Sequence, residues 1–559
     1  MKKENIQYSL CFILFLSLAL RLWGIWNVST TDEYNEVLEA LRVCSGHFNF
    51  ERWIKRFYLY ILSVEYGIYY AIGWLFNAFS SPLDFAEKIV RNMEPLFVMG
   101  RITSAVSGAC TVGLLYKIGS DFFNRRVAIV SSVLLTLTIF HIDLSQQAKV
   151  DATLGLLVVA TIYFIFKIIE ADNKKKWAYG WCGFLMALSI QTKINSVGLF
   201  VPFAVAILFD YKTFRTRINF IIFYFIPFFI CGFILANPPV LLAPHKFITS
   251  ILSLGSVYTT PGNVVPNDLI GFLAYPLYYF RSMGLVISIL TILAFTYTSY
   301  NLNIKRLVLL SFIVSFYILM GASKNLVAAY YMIPVVPAIY LLIGDFLSES
   351  TAKSSTIPLL RRRSSLVLML IVTIGLINPA VNVAKHEFSL AGKNTRYLAK
   401  DWIEANIPAG SKILMDSGKS INSFAPPIAE NRENLTRIIR DTKQNVSEGK
   451  IVHGMVDRNA LIYYELLLNT VPEKAYDITS TMFGLDVKSI DYYMKNKFEY
   501  FIISGGMKKS RTGEYILKGF PEVANFYLSL DSDPRVKLIK TITPSARNRG
   551  DTFYIYKLM

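Results

Sequence analysis

Histidine, cysteine and charge are all scarce in this 559-residue chain, which holds 5 His, 5 Cys and 17% charged residues. The histidines, His47, His141, His245, His386 and His453, are scattered, so no cluster argues for zinc. The cysteines are Cys11, Cys44, Cys110, Cys182 and Cys231, of which only Cys44 clearly lies outside an apolar run. They offer neither a disulfide framework nor a metal set, and residues 381–559 contain none. No internal repeat and no low-complexity tract organises the chain.

What the chain has is apolar length. It is 53% hydrophobic and 14% aromatic, with a mean hydropathy of +0.42, beyond what burial in a soluble domain requires. Tyr8 to Trp26, Ile218 to Ala236 and Ala329 to Phe346 are charge-poor runs, each close to the roughly 20 residues a helix needs to cross the hydrocarbon layer. The net charge of +18 would suggest nucleic acid in a soluble protein. Here the basic residues sit in short clusters between apolar runs, so the partner implied is an anionic lipid surface and no nucleic acid. The N-terminal run lacks a small-residue cleavage site and is long enough to span, so it reads as a first helix rather than a removed signal.

Apolar runs beginning near residues 8, 97, 126, 152, 177, 194, 218, 283, 306, 329 and 364 predict an α-helical polytopic membrane bundle of about 11 to 13 transmembrane helices. A further run, Phe57 to Phe79, reverses the orientation of everything after it if it crosses. Charge bias decides against crossing. With that run kept on the outer surface, Lys2 and Lys3, Lys117 with Arg125 and Arg126, Lys174 to Lys176, Lys212 with Arg215 and Arg217, Lys305 and Arg306, and Arg361 to Arg363 all lie inside. The division expected is a transmembrane domain over residues 1–380, with outer juxtamembrane helices at 33–79, and an extracytoplasmic α/β domain over 381–559. In the latter, Thr395 to Asn406 reads as helix, while Lys412 to Met415, Tyr500 to Ile503, Val536 to Ile539 and Phe553 to Tyr556 read as strands. The location expected is the cell membrane, multi-pass.

That topology leaves a short roster of outer-face ionisable residues: Asp32, Glu33, Arg42, Arg101, Asp143, Lys149, Asp151, Lys193, Arg281 and Lys324. Charges near a membrane are costly and are usually retained for a purpose. Asp32 and Glu33 follow the first crossing directly, as a carboxylate pair able to deprotonate a hydroxyl, hold a divalent cation, or simply cap the next helix. Asp151 in Lys149-Val150-Asp151 can likewise cap a helix while Lys149 snorkels to water. Lys193, after Gln191-Thr192, occupies an outer turn where a snorkelling lysine would be ordinary. All three places share one face of the membrane, which tilts the balance towards a site.

In this order, the acidic pair, the Lys-x-Asp, the Thr192-Lys193 turn and Tyr330-Tyr331-Met332-Ile333-Pro334-Val335-Val336-Pro337 resemble the type-C glycosyltransferases. The nearest likeness is to the protein O-mannosyltransferase and lipid A aminoarabinose transferase superfamily. Arg396, Trp402 and Asn406-Ile407-Pro408-Ala409-Gly410 resemble the opening of the outer domain in bacterial members. The resemblance covers most of residues 8–415 and implies the type-C fold. It also implies transfer of a sugar from a polyprenyl-phosphate-linked donor to a hydroxyl of a lipid, protein or glycan acceptor. By resemblance Asp32 is the general base, with Glu33 beside it, and Asp151 is a second acid. Where many relatives carry Lys-Pro or Pro-Pro, this chain has Tyr66-Gly67, so the usual phosphate lysine is missing and Lys193, Lys149, Arg281 or Arg101 must replace it. No metal is demanded when basic side chains supply the charge, and a divalent cation held by Asp32 and Asp151 is the alternative. Aromatic residues of 57–79 fit either a lipid groove or simple anchoring. The main rival is a transporter or flippase for a lipid-linked substrate, and an inactive lipid- or sugar-binding protein is the third alternative.

Overall fold

Long apolar runs become helices because, in hydrocarbon, a backbone satisfies its N–H and C=O groups only within itself. The computed structural model describes residues 4–28, 31–46, 56–170, 176–209, 214–259, 271–323, 329–353, 358–416, 425–447, 458–481 and 484–559. In chain order the helices are α1 (Glu4–Leu22), α2 (Thr31–Cys44), α3 (Arg56–Leu75), α4 (Pro82–Arg91), α5 (Glu94–Phe122), α6 (Arg125–Thr136), α7 (Ile139–Ser145), α8 (Val150–Glu170) and α9 (Lys176–Thr192). There follow α10 (Phe200–Leu208), α11 (Phe214–Phe220), α12 (Ile226–Ala236), α13 (Pro244–Thr259), α14 (Gly271–Tyr300), α15 (Ile304–Gly321), α16 (Val336–Lys353) and α17 (Pro358–Ser389). Among the described residues, 6 helical stretches are long and apolar enough to cross a membrane: Tyr8–Asn27, Glu94–Phe122, Val150–Glu170, Phe214–Ala236, Gly271–Tyr300 and Ile304–Gly321. The pair α6 and α7, bent by 63°, makes a seventh if counted as one broken span. Helix α3, which carries Arg56 and Glu65, is not in that set.

The chain divides into two compact units that interleave in sequence. Met1–Trp23, Ser45–Ser63 and Met99–His386 form one; Gly24–Cys44, Val64–Val98 and Glu387–Met559 form the other. In the first, helices pack through small residues: a Cβ on Gly183 of α9 would stand 2.4 Å from the Phe225 carbonyl oxygen, and one on Gly232 of α12 would stand 2.8 Å from that of Phe184. Such close backbone approach is how helices associate where burial supplies little drive. Helix α14 breaks at Gly284 (φ 77, ψ 178), a conformation open to a residue without Cβ. Several charged residues of this unit form ion pairs. Arg306 Nε lies 2.6 Å from Asp345 Oδ2 with both side chains buried, and Arg306 also donates to the Asn301 carbonyl (2.7 Å). Lys305 reaches Glu170 (3.1 Å), and Asp121 receives both Lys117 (3.1 Å) and Lys167 (3.6 Å).

The second unit is built on a five-stranded sheet of order β2-β1-β3-β5-β4, with β1 (Lys412–Met415), β2 (Asp477–Ser480), β3 (Tyr500–Ser504), β4 (Val536–Ile542) and β5 (Phe553–Leu558). Strands β1, β2 and β3 are parallel and β5 and β4 antiparallel. Its helices are α18 (Thr395–Asn406), α19 (Arg432–Ser447), α20 (Arg458–Asn469), α21 (Ile490–Lys495), α22 (Gly505–Arg511), α23 (Glu514–Gly519) and α24 (Pro521–Ser529). Ala399 and Ile403 of α18 pack with Ile413, Ile502 and Ile555 on one face of the sheet, and Phe526 and Tyr527 of α24 with Leu414, Phe501 and Tyr556 on the other. The expected helix and four strands are all present, with β3, β4 and β5 ending later than expected, at Ser504, Ile542 and Leu558. Strand β2 was not foreseen: Asp477-Ile478-Thr479-Ser480 has no apolar alternation worth the name.

Candidate functional site

A pinned turn sets the site of the bundle unit. Thr138 marks the bend between α6 and α7, its hydroxyl donating to the Leu134 carbonyl (2.7 Å) and lying 2.8 Å from the Tyr340 hydroxyl. After α7, Gln146 donates from Nε2 to the carbonyls of Leu20 (2.9 Å) and Trp23 (3.1 Å), which the end of α1 leaves without helical partners. Its Oε1 lies 2.7 Å from His386 Nε2. From α5, Ser104 donates to the Lys149 carbonyl (3.2 Å), and a Cβ on Gly100 would come 2.8 Å from the Ala148 Cβ. This turn delivers Lys149 and then Asp151, which stands in the first turn of α8, where the helix dipole favours a carboxylate.

Lys193 arrives from the other side. It follows α9 in an extended conformation (φ −159, ψ 124) before a short 3-10 turn over Ile194–Leu199. Its Nζ donates to Asp151 Oδ1 at 2.7 Å. Neither lysine snorkels: Lys149 and Lys193 are each 8% exposed and Asp151 only 2%. The short 3-10 turn Ala329–Met332 supplies two aromatic faces. Lys193 Nζ lies 4.4 Å from the Tyr331 ring centre and 5.0 Å from that of Tyr330, and Lys149 Nζ lies 4.7 Å from that same Tyr330 ring. One ring thus serves two ammonium groups, an arrangement that holds positive charge in a partly desolvated place. Of the charged groups Asp151, Lys149 and Lys193, two are cations. Beside them Gln191 Nε2, Asn195 Oδ1 and Ser196 Oγ are buried with no hydrogen-bond partner among the described residues, which a polar ligand would relieve.

The remaining predicted residues fall elsewhere. Arg101 is buried on α5, between Gly100 and Ser104, on the stretch that packs against Ala148 and Lys149. Arg281 is exposed on α14, three residues before the break at Gly284. Lys324 lies outside the described residues. Asp32 and Glu33 stand in the first turn of α2, in the second unit. The Asp32 side chain is outside what is described, while Glu33 is 1% exposed and Glu36, one turn further on, is also buried. The Tyr330 and Tyr331 rings stand over the lysines, a role the sequence does not assign them. The Tyr330 motif was visible, but nothing local says which cations its ring will meet.

Two other polar clusters were not foreseen. Arg21, at the end of α1, is fully buried, donating to Ser17 Oγ (2.7 Å) and lying 2.8 Å from His141 Nδ1. In the second unit Asp416, just past β1, accepts from the Ser504 amide (2.9 Å) and the Tyr527 hydroxyl (3.2 Å). Ser504 Oγ in turn donates to Asp551. Burial first, then the Asp551 charge, pushes the Asp416 carboxyl up to about 8 against the pull of those two donors. Among the described residues no three or more His, Cys, Asp or Glu side chains gather as a metal-binding group.

Residues 93–236 match the family model of the dolichyl-phosphate-mannose-protein mannosyltransferases. Comparison with curated proteins by sequence gives no match. ArnT from Cupriavidus metallidurans in the apo state superposes with a TM-score of 0.53 at 12% identity, over 99% of this chain and 97% of that one. The same enzyme bound to undecaprenyl phosphate gives 0.50 at 12% identity, with the same coverage of both chains. The apo oligosaccharyltransferase of Archaeoglobus fulgidus gives 0.52 at 11% identity, over 94% of this chain and 72% of its own. This is a multi-pass membrane protein with the type-C glycosyltransferase fold, and that is the superfamily it resembles.

Proposed function

We propose that the protein is a membrane glycosyltransferase that moves a sugar from a polyprenyl phosphate carrier to a hydroxyl of a lipid, protein or glycan acceptor. The observation that carries this reading is the buried Lys193–Asp151 pair with Lys149 on the shared Tyr330 ring, in a fold whose solved relatives include an enzyme bound to undecaprenyl phosphate. A sugar on a lipid phosphate already has a good leaving group, so the protein must mainly place the acceptor and neutralise the departing phosphate. Asp32 takes the proton of the acceptor hydroxyl as its oxygen bonds to the anomeric carbon, a contribution of about 10² to 10⁴-fold. The bond from that carbon to the phosphate oxygen breaks, and its electron pair leaves with the phosphate, towards Lys193 and Lys149. Glu33 supports Asp32, Asp151 orients Lys193, and Arg101 and Arg281 are the reserve cations. A divalent cation is not required in this scheme.

The C-terminal domain and the helices of 33–79 lie on the outer side of the membrane in this reading, which puts the acceptor outside. A transporter would set its ionisable groups on broken helices near the bilayer midplane. Here the candidate lysines and acids stand at helix ends: Asp151 opens α8 and Lys193 follows α9. The decisive test is Asp32→Asn assayed for sugar transfer in membranes, with insertion checked by protease protection. Transfer is expected to collapse while insertion is normal; transfer at the wild-type rate would remove Asp32 as the base.

A further inference from the structure

The helix that bears the carboxylate pair belongs to the same compact unit as the C-terminal domain, and its ties to that domain can be traced residue by residue. Just before α2, Gly24 (φ +61) passes so close to Leu390 that a Cβ would stand 2.6 Å from the Leu390 Cβ. Asn27 then donates from Nδ2 to the Leu390 carbonyl (2.8 Å). Within α2, Glu33, Tyr34, Val37 and Ala40 are buried, the spacing of one helical face. Buried Tyr34 lies beside Tyr463 and Tyr464 of α20.

Helix α20 is itself anchored. Its Tyr464 packs with Leu435 and Ile439 of α19. Helix α19 is fixed to the sheet, Asn434 donating to the Ile478 carbonyl (2.8 Å) and Arg437 pairing with Asp477 (2.9 Å) on β2. Neighbouring segments of the first hundred residues are tied to the same domain: Asn469 donates to Glu87 of α4 (3.3 Å), and Tyr397 of α18 to Glu94 (3.2 Å). A continuous path of contacts therefore runs from the central sheet through α19 and α20 to α2.

We propose that the C-terminal domain is the frame that positions α2, with Tyr463 as the positioning residue for the Asp32–Glu33 pair. The first turn of a helix frays unless something holds it, and a displacement of about 1 Å in a reacting group can cost on the order of a hundredfold in rate. Tyr463 touches no reacting atom in this scheme; it acts through Tyr34, two residues from Asp32. The inference rests on the reading of α2 as the bearer of the base.

The test uses the full chain in lipid nanodiscs with Tyr463→Ala and Tyr463→Phe. For Tyr463→Ala, kcat for transfer is expected to fall at least about tenfold with the donor KM unchanged, and amide hydrogen exchange in α2 to quicken while that of α8 and α9 stays as in wild type. Tyr463→Phe, which keeps the ring, is expected to recover most of the rate and the protection. Unchanged exchange in α2 for Tyr463→Ala overturns the frame whatever the activity does. The reading of the base fails differently, through an active Asp32→Asn with α2 protected as before. Loss of protection throughout the molecule would mark Tyr463 as a general stabilising contact and also overturn the proposal.

Discussion

Lys193 and Asp151, 42 residues apart in sequence, meet as a buried ion pair with Nζ 2.7 Å from Oδ1. A buried pair is costly to break from one side, by about 3 to 5 kcal/mol, because the survivor is left charged without its partner. A drop in activity on removing Lys193 would therefore mix two effects, loss of fold and loss of chemistry.

The double variant Lys193→Ala with Asp151→Asn separates them. Thermal unfolding in detergent is expected to show Lys193→Ala destabilised by about 3 to 5 kcal/mol and much of that recovered in the double variant. Transfer is expected to stay low in the double variant, with donor use weaker by about 2 to 5 kcal/mol. Lys193→Arg keeps the charge but changes its shape, and should retain part of the rate. If the double variant turns over donor at the wild-type rate, Lys193 serves the fold alone and the phosphate ligand is Lys149 or Arg281.

At Arg306 and Asp345 the same physics applies without the chemistry. Asp345→Asn should lower stability by about 3 to 5 kcal/mol, and replacing both residues by Met and Leu should restore most of it. Donor KM should be untouched in the double replacement. A calorimetric scan of the two variants beside wild type checks this, and a neutral Asp345→Asn would show that the pair is open to water.

Opposite to the ion-paired surface acid Asp533, whose carboxyl is held low by Arg535, the Asp416 carboxyl is shifted upward. Its folded value, about 8, lies above its ordinary 3.8, so the folded state holds the proton more tightly than the unfolded state. Stability contributed by this group therefore falls as pH rises from about 4 to about 8, and is level beyond. Asp416→Asn should remove that slope, so that the variant gains on wild type with rising pH. Parallel Tm curves for the two proteins from pH 5 to pH 8 would refute it.

Topology can be read by labelling. In a background lacking the five native cysteines, of which Cys11, Cys110 and Cys231 are exposed, a cysteine at Ser354 is expected to react only from the cytoplasmic side and one at Ser510 only from outside. Reaction of both from one side would overturn the orientation and the non-crossing of residues 57–79.

Helices were legible wherever composition alone decides them. Long apolar runs favour helix in lipid, although those beginning at Ile194 and Ala329 open as short 3-10 turns. Strand β2 was illegible because Asp477–Ser480 becomes a strand through its parallel register with β1, not through its own residues. At the site, the shared outer face pointed to Lys149, Asp151 and Lys193 together. The pairing of Lys193 with Asp151 was not readable, since snorkelling and ion pairing look alike in sequence. Nor could any local pattern reveal that Tyr34 would lie beside Tyr463, more than four hundred residues away.

The interleaving of the two units has a consequence for biosynthesis. Gly24–Cys44 and Val64–Val98 leave the ribosome long before Glu387–Met559, the part they fold with. At roughly 5 to 20 residues per second, the delay between Val98 and Glu387 is about 15 to 60 seconds. Throughout that interval α2 and α4 exist without the surface that buries them. A ribosome that stalls, or a stop codon, anywhere after α17 would release a chain whose helices are inserted but whose early segments never find their partner. Such products should be prime substrates for membrane quality-control proteases.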